Sequence, residues 1–373
     1  MKKTTWGITA LALVSALALS ACGNTDPVKS DSPDTTTNTE PSAAAQATYS
    51  GTLAGAGASS QESAMNAWRA GFQTANPDIE VSYDAVGSGA GIEQLLSGQV
   101  PFAGSDEALG AEDLEKSKAQ CGGESAINIP VYISPVAVAF NLEGVDTINM
   151  SPAQIADVFN GKITKWNDPS LVEANPGVTL PDMAITTVHR ADKSGTTENF
   201  TAFLNEVAPE NWPYEASKEW PVASGDSAQQ TSGVIQALQD GKGIIGYADA
   251  SKVGSLGTVA LKVGAEYVKF STEAAGKAVE TAAIEEGRAA NDLALKLDRK
   301  TDAAGAYPLI LVSYLIACPT YAEAQTADNV RGFMEFIVSD EGQKLAEKEA
   351  GSAPLPGATA EKAKAAIATI AAK

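Results

Sequence analysis

The sequence predicts an α/β fold, because strand-like and helix-like segments alternate along the chain from residue 49 onward. Residues 79–83 alternate apolar and polar side chains, as a half-buried strand does. Residues 64–75 instead place their apolar side chains on one helical face. At 373 residues, the chain is long enough for two domains.

Strands and helices continue to alternate in the later segments. Ser151 and Pro152 have the N-cap serine and the first-turn proline of a helix start. Residues 243–247 have the composition of a buried strand, and residues 330–350 predict one long late helix. Residues 251–304 are rich in Ala, Lys and Glu, so we expect them to be mostly helical, and we assign no chemistry to them.

The overall charge excludes one large class of function. The chain has 46 acidic and 26 basic residues and a formal net charge of −20. A nucleic-acid partner is not expected, since contacts to phosphate backbones need a basic face. One histidine and three cysteines leave little material for a metal site, so we predict neither a metal nor a cofactor.

The first residues predict export. Residues 1–21 have the pattern of a signal peptide: Lys2 and Lys3 precede an apolar stretch that is too short to span a membrane durably. Leu-Ser-Ala-Cys, ending at Cys22, resembles a bacterial lipobox, in which the cysteine is lipidated and becomes the mature N-terminus. The alternative is ordinary cleavage beside a chance cysteine. The lipobox predicts an extracytoplasmic protein that a lipid on Cys22 anchors to the cell membrane.

Residues 22–48 predict a disordered tether. They are rich in Thr, Ser, Asp, Pro and Ala, and they lack the apolar side chains that would offset the entropy of ordering. We expect this segment to hold the folded body away from the membrane.

The two remaining cysteines, Cys121 and Cys318, each border a predicted strand. In an oxidising extracellular setting, two such cysteines can form a disulfide. They can equally be two independent small residues of the core, and the sequence leaves both interpretations open.

Three turns of small residues precede predicted helices. They are residues 55–60, residues 87–91 and residues 194–197. At a helix N-terminus, unpaired backbone N–H groups and the helix dipole favour an anion, and serine or threonine adds a hydroxyl donor. The alternative is simple capping, for example a capping box of Ser59 with Glu62. The two glycine-rich turns, residues 55–60 and residues 87–91, lack the Rossmann and Walker A spacings.

Charged residues lie beside two of these turns. Arg190 precedes the third turn by four residues and can present a fork of donors to an oxyanion, with Asp192 bracing it. The alternative for this pair is a surface ion pair that contributes little. Asp106 follows the second turn and by itself predicts a helix cap. Beside an anion, its carboxylate would accept a hydrogen bond only from a ligand that carries a proton. His189 is interpreted as a residue at the end of a strand, without a functional role.

The order and spacing of these motifs resemble those of the phosphate-binding proteins of the phosphate-specific ABC transporter, the Pst system. The resemblance covers nearly the whole chain after the tether. The motifs that carry it are residues 55–58, 87–89, 102–106, 161–168, 190–196, 246–247, 342–343 and 353–356.

The resemblance implies an α/β, two-lobed periplasmic-binding-protein-like fold, with two chain crossovers and a ligand cleft between the lobes. Residues 49–132 and 307–373 would form lobe 1, and residues 133–306 would form lobe 2. The lobes would close on inorganic phosphate by hinge motion. The implied partners are phosphate and the permease subunits of an ABC transporter, and we expect a monomer.

The family's ligand positions fall on eight residues of this chain. They are Ser59, Ser60, Ser88 and Asp106 in lobe 1, and Arg190, Ser194, Gly195 and Thr196 in lobe 2. The family often has Thr-Phe where this chain has Ser59-Ser60, and the second position acts there through its backbone N–H. Sulfate carries no proton at neutral pH, so a buried Asp106 would repel it.

Three other functions remain open. A phosphatase or acyl hydrolase would use Ser194, His189 and Asp192, but triads are usually assembled from separate elements, and no Gly-x-Ser-x-Gly elbow is present. The same fold would also suit another anion, such as sulfate, molybdate or an organophosphate. A lipoprotein with a purely adhesive surface is the last alternative. We predict a receptor rather than an enzyme.

Overall fold

The computed structural model describes residues 48–373. The predicted signal peptide, the lipidation site Cys22 and residues 22–47 of the predicted tether lie outside the described residues. Within residues 48–373, no helix combines the length and the apolar composition that crossing a membrane requires.

Strands and helices alternate through the described residues, so the predicted α/β fold is confirmed. The strands are β1 (Gly51–Gly57), β2 (Ile79–Asp84), β3 (Phe102–Ser105), β4 (Ile127–Asn141), β5 (Thr147–Met150), β6 (Thr186–Arg190), β7 (Asp226–Ala228), β8 (Ile244–Asp249), β9 (Gly257–Val263), β10 (Glu266–Val268), β11 (Ala283–Ile284), β12 (Leu295–Lys296), β13 (Ile310–Ala317), β14 (Thr320–Tyr321) and β15 (Ala371–Ala372). The helices are α1 (Glu62–Ala75), α2 (Ser88–Leu96), α3 (Ala111–Ser117), α4 (Pro152–Phe159), α5 (Pro169–Ala174), α6 (Gly195–Val207), α7 (Gln230–Asp240), α8 (Thr272–Val279), α9 (Ala324–Ile337), α10 (Asp340–Ala350) and α11 (Gly357–Ile367).

Eleven of the strands form one sheet, in the order β2-β1-β3-β13-β4-β8-β6-β7, with β9 beside β4 and with β5 and β10 beside β9. The long strand β4 joins two halves of this sheet. It pairs with β13 from Ile127 to Pro135 and with β8 from Val136 to Asn141. We call the strands on the β13 side of β4 the first half and those on the β8 side the second half.

The parallel strands direct several turns to one edge of each half. In the first half, β1 runs parallel to β2 and to β3, so the turns into α1 and α2 leave from the same edge. In the second half, β6 runs parallel to β7 and β8, and the turns after β6 and β7 lead into α6 and α7. Ligands of open α/β sheets bind at such carboxyl ends.

Aromatic side chains form the centre of the core in both halves. In the first half, the ring of Phe72 packs against that of Phe333 at a centroid distance of 5.3 Å. In the second half, Phe200 stacks on Tyr247 at 4.3 Å, and Phe159 meets Phe200 edge-on at 4.9 Å. These rings are all nearly or fully buried, and their packing fixes the strands and helices that carry the turns described below.

The predicted start of α4 is confirmed. Ser151 is the N-cap, its hydroxyl accepts from Gln154 N at 3.2 Å, and Pro152 occupies the first turn. The Gln154 side chain accepts from Ser151 N at 2.8 Å, which completes a capping box.

The prediction of one helix over residues 330–350 is wrong. The structure has two helices: α9 ends at Ile337, α10 begins at Asp340, and Val338 and Ser339 connect them. The Ser339 hydroxyl accepts from Gly342 N at 3.1 Å, and Asp340 and Glu341 occupy the first turn of α10. This N-cap and these first-turn carboxylates stabilise a new helix start inside the apolar periodicity.

The prediction that residues 251–304 are mostly helical is also wrong. Apart from a 3₁₀ turn, α8 is the helix that the structure has there; the segment also contains the strands β9 to β12, and turns and irregular backbone connect them. Strand β9 runs parallel to β5 and pairs with β4, so sheet formation overrides the modest helix propensity of Ala, Lys and Glu. Gly264, at φ +56°, makes the tight turn from β9 into β10.

Of the two interpretations of Cys121 and Cys318, the structure has the disulfide. Its Cα atoms lie 4.8 Å apart, and 197 positions separate the two residues in sequence. Antiparallel pairing of β4 with β13 sets Ile127 beside Ala317, and this register brings the two cysteines together.

Candidate anion-binding site

In the first turn, between β1 and α1, the hydroxyls of the two serines contact different parts of the structure. The Ser60 hydroxyl donates to Asp106 Oδ1 at 2.5 Å. The Ser59 hydroxyl lies 2.9 Å from the Thr231 hydroxyl and accepts from Thr231 N at 3.1 Å. Thr231 belongs to α7, so Ser59 connects the first half of the sheet to the second.

The alternative of a capping box at this turn is wrong. The N-cap of α1 is Gln61, which makes no side-chain cap, and the Ser59 hydroxyl contacts α7 instead of the start of its own helix. The first turn of α1 therefore keeps its backbone N–H groups free of a serine cap, as an anion site at this helix end requires.

The second turn places Ser88 beside Asp106. Ser88 opens α2, and its hydroxyl accepts from Asp106 N at 3.2 Å. Gly87, at φ +99°, lies so close to the second half that an added Cβ would be 2.3 Å from Asp192 Oδ2. Glycine suits both this backbone conformation and the close approach of the Asp192 carboxylate.

The third turn carries the charged pair that the sequence singled out. Arg190 ends β6, and its guanidinium is bound at Nε and at one terminal nitrogen by the two oxygens of Asp192, with the Nε to Oδ1 distance at 2.8 Å. The Arg190 side chain is 3% exposed and that of Asp192 is 11% exposed. The interpretation as a surface ion pair is therefore wrong, and the bracing of Arg190 by Asp192 is present. Asp192 Oδ1 also accepts from Gln230 N at 2.9 Å.

The start of α6 contacts the first half of the sheet directly. Ser194 caps α6 by accepting from Thr197 N at 3.2 Å, so its hydroxyl has a structural partner. The Thr196 hydroxyl donates to Asp106 Oδ2 at 2.8 Å. A Cβ on Gly195 would lie 2.6 Å from Ser88 Oγ and 2.8 Å from Asp106 Cβ. The three turns thus converge on Asp106.

Asp106 is the electrostatic centre of this convergence. It is 3% exposed, and burial raises the pKa of its carboxyl group. Hydrogen bonds from Ser313, Ser60 and Thr196 and the charge of Arg190 offset part of this rise, and the pKa stays above its usual value. The three hydroxyl donors all favour the ionised form, so Asp106 is built as an acceptor.

Several polar residues of the site were missed by the sequence reasoning. Asn199 donates from Nδ2 to Asp106 O at 2.7 Å and to Gly195 O at 2.9 Å. Arg299 in turn donates to Asn199 Oδ1 at 2.6 Å. Asn199 lies four positions after Gly195, hence on the same helical face, and that spacing was the available signal. No comparable signal marked Arg299, which comes from the segment to which we assigned no chemistry.

Ser313 and Gln61 were also missed. Ser313 donates to Asp106 Oδ1 at 2.6 Å, and Gln61 donates from Nε2 to Ser313 Oγ at 2.6 Å. Ser313 is a polar residue inside the otherwise apolar strand β13, and this exception to the pattern was its signal.

A cluster of charges lies next to Asp106 across the two halves. Lys218 Nζ is 3.0 Å from Glu107 Oε2 and 3.0 Å from Glu198 Oε2. Burial and the neighbouring Glu107 raise the pKa of Glu198. A cavity of about 430 Å³ borders Asp106 on this side, and its lining includes Arg288 and Arg299.

The described residues contain no group of three or more His, Cys, Asp and Glu side chains that could hold a metal ion. His189 Nδ1 lies 2.9 Å from Arg190 O, and its ring stacks on Trp220 at a centroid distance of 5.1 Å. Asp192 is bound to Arg190, so it does not orient a catalytic histidine. Chemically, the site offers hydroxyl and backbone donors, the buried guanidinium of Arg190 and the buried acceptor Asp106, a set that suits a tetrahedral oxyanion with a proton.

Comparison with known proteins shows the family of this chain. The family model of the PBP superfamily domain matches residues 42–341. The phosphate-binding protein PstS 3 of Mycobacterium tuberculosis is 31% identical over 347 residues, which cover 91% of this chain and 92% of that protein. PstS of Xylella fastidiosa is 31% identical over 361 residues and covers 94% of both chains. This chain belongs to the PstS family of phosphate-binding proteins.

Solved structures support the fold of this PstS-family member. The subatomic-resolution structure of a high-affinity periplasmic phosphate-binding protein, bound with phosphate, matches with a TM-score of 0.70 at 23% identity, and the match covers 84% of this chain and 93% of that one. A phosphate-binding protein from Stenotrophomonas maltophilia matches with a TM-score of 0.65 at 20% identity, covering 85% and 94%. The periplasmic-binding-protein-like fold is thereby confirmed, and the family is one of binding proteins rather than enzymes.

Proposed function

We propose that this protein binds inorganic phosphate at the convergence of its three turns and delivers it to the permease of an ABC transporter. The observation that carries the proposal is the contact of Thr196 and Gly195, from the second half of the sheet, with Asp106, from the first half. Relatives that are 31% identical over more than nine-tenths of this chain are named phosphate-binding proteins, which supports the same ligand.

The donors of the proposed site match a phosphate dianion. Backbone N–H groups at the starts of α1, α2 and α6 and nearby hydroxyls donate hydrogen bonds, and Arg190 supplies the single formal positive charge. We assign the ligand contacts to Ser59, Ser60, Ser88, Asp106, Arg190, Ser194, Gly195 and Thr196, with Asp192 holding Arg190 in place.

Asp106 gives the proposed site its selectivity. Phosphate carries a proton that a buried carboxylate can accept, whereas sulfate would face that carboxylate with a lone pair. A site built around such a hydrogen bond rejects the wrong ligand by roughly 10⁴–10⁵. The net charge of −20 does not oppose binding, because surface charges are screened beyond about 8–10 Å.

The proposed binding cycle uses two lobes. We assign residues 49–132 and 307–373 to lobe 1 and residues 133–306 to lobe 2, with the two crossings in β4 and before β13. The change of partner along β4, from β13 up to Pro135 to β8 from Val136, supports this boundary. Contacts such as Ser59 with Thr231 would form on closure and break on release of the ligand to the permease.

We further propose that the protein is exported and that a lipid on Cys22 anchors it to the cell membrane, with residues 22–48 as the tether. The signal-like segment and the lipobox support this location. The proposed receptor acts as a monomer and needs no cofactor.

Calorimetric titration tests the proposed ligand. The protein, unfolded and refolded to remove bound ligand, is titrated with phosphate in the presence and absence of a large excess of sulfate. One-to-one phosphate binding that is indifferent to sulfate is expected. Binding that sulfate abolishes would move the ligand to another oxyanion, and a refolded protein that binds neither anion would refute the proposal.

A further inference from the structure

Asp106 is held by a chain of hydrogen bonds whose direction is fixed. Gln61 Nε2 lies 3.0 Å from Tyr314 O, and a backbone carbonyl can only accept, so the amide nitrogen of Gln61 must face this side. The same nitrogen lies 2.6 Å from Ser313 Oγ. Ser313 therefore accepts from Gln61, and its own proton must point elsewhere.

Two acceptors surround that proton. Asp106 Oδ1 lies 2.6 Å from Ser313 Oγ, and Ser105 O lies 3.3 Å from it. The shorter distance favours the carboxylate, and hydrogen bonds to an ionised acceptor are the stronger ones. Ser313 is thus an obligate donor to Asp106.

These hydrogen bonds occupy both acceptor positions of one carboxylate oxygen of Asp106 and leave a position open on the other oxygen. Oδ1 receives the hydroxyls of Ser313 and Ser60, which occupy its two lone-pair positions. Oδ2 receives the hydroxyl of Thr196 from the second half, and one of its positions remains for a ligand proton. A proton on Asp106 would occupy that remaining Oδ2 position and point at the ligand, so Asp106 would then donate a hydrogen bond instead of accepting one.

We propose that Ser313, oriented by Gln61, is a positioning residue that keeps Asp106 an acceptor and so confines the site to protonated oxyanions. This inference rests on the proposed phosphate site and adds the residues that set its selectivity. All members are buried: Gln61 and Ser313 are 0% exposed. A register shift in the pairing of β13 with β4 falls between Ser313 and Tyr314, and this irregularity lies where the strand carries its polar residue.

The consequence is a selectivity that depends on pH. A protonated Asp106 donates a hydrogen bond and so accommodates sulfate. Two titratable groups act on Asp106: Arg190 at the end of β6 lowers its pKa, and Tyr83 of β2 has its own pKa raised well above its usual value by burial and by Asp106. The cluster of Glu107, Glu198 and Lys218 lies beside Asp106, and Arg299 lines the cavity that borders it. Removal of the Ser313 donor leaves these neighbours in place and raises the pKa of Asp106.

The experiment measures phosphate affinity with and without excess sulfate, from pH 5 to pH 9, in the full chain. In the Ser313→Ala variant, sulfate competition should begin about 1–2 pH units higher than in the unsubstituted protein, because a hydrogen bond to a charged group is lost. The Ser313→Thr variant restores a hydroxyl and should restore the profile. Ser117→Ala is the matched control, since the buried Ser117 hydroxyl donates to Leu114 O and accepts from Ala126 N, and neither residue belongs to the site.

A second variant changes Gln61, which lies at the other end of the hydrogen-bonded series from Asp106. Gln61→Met removes the donor that orients Ser313, so its sulfate profile should shift in the same direction by a smaller amount. This variant also decides the question if Ser313→Ala does not fold.

The outcomes separate the inference from the proposed function. If the unsubstituted protein binds phosphate and excludes sulfate at pH 8, but Ser313→Ala or a folded Gln61→Met has an unchanged sulfate profile, the inference is overturned and the proposed function stands. Equal weakening of both anions without a pH shift would assign Ser313 a merely structural role and also overturn it. No phosphate binding by the unsubstituted protein would overturn both.

Discussion

Asp106→Asn tests the proposed selectivity with the smallest change of shape. The amide oxygen can still accept from Ser60 and Ser313, and the amide nitrogen can donate to the Thr196 hydroxyl once that hydroxyl rotates. The fold should therefore survive. The ligand loses a carboxylate acceptor and meets an N–H donor in its place.

The magnitude follows from the contacts. A hydrogen bond to a buried charged group contributes about 1.5–3 kcal/mol, so phosphate should bind roughly 10- to 150-fold more weakly. Sulfate gains a donor where it met a lone pair, so its affinity should rise. The phosphate-over-sulfate ratio should fall by at least about two orders of magnitude.

Calorimetric titration of both anions measures this ratio, and thermal denaturation checks the fold. Asp249→Asn is a matched control, because Asp249 is fully buried but contacts Tyr132 and Ser251 instead of the site. An Asp106→Asn variant that is folded and retains full discrimination would show that Asp106 does not set the selectivity.

Three further predictions concern the same protein. Arg190→Ala should weaken phosphate binding by about 3–5 kcal/mol in calorimetry, because the buried guanidinium is the ligand's charge partner; unchanged affinity would refute that role. Gly195→Ala should weaken binding roughly tenfold or more, since its Cβ would lie 2.6 Å from Ser88 Oγ; an unaffected affinity would show that these turns need not meet. Asp249 has its pKa raised by burial to about 6, so its stabilising contribution is present at low pH and is lost as the pH rises through about 6. Asp249→Asn should therefore flatten the fall in unfolding free energy between about pH 4 and pH 6, by at most about 3 kcal/mol, in urea denaturation; an equally steep fall would contradict this.

The sequence was informative where local chemistry decides the structure. The cap at Ser151 and Pro152 needs only neighbouring residues, and it was predicted correctly. The late helix was predicted without its break, because the apolar periodicity continues across Ser339 and hides the second N-cap. Residues 251–304 were predicted as helix from composition alone, whereas long-range pairing of β9 with β4 and β5 decides their conformation.

In the candidate site too, the sequence revealed the residues that stand in local motifs and missed those that long-range contacts bring together. Asp106, Gly195 and Thr196 lie in turns whose small residues stand out in the sequence, and the structure brings these turns together. Ser313 lies 207 positions from its partner Asp106, and Arg299 lies 100 positions from its partner Asn199. Only the folding of β13 into the middle of the sheet, between β3 and β4, makes the first of these contacts, so sequence spacing could not reveal it.

A high-resolution crystal structure of the phosphate complex tests the central claim most directly. We expect phosphate between the starts of α1, α2 and α6, paired with Arg190. One phosphate oxygen should lie about 2.5–2.7 Å from Asp106 Oδ2, which is the distance of a hydrogen bond between a hydroxyl and a carboxylate. Phosphate bound instead in the cavity beside Arg288 and Arg299, or bound without contact to Asp106, would contradict the account.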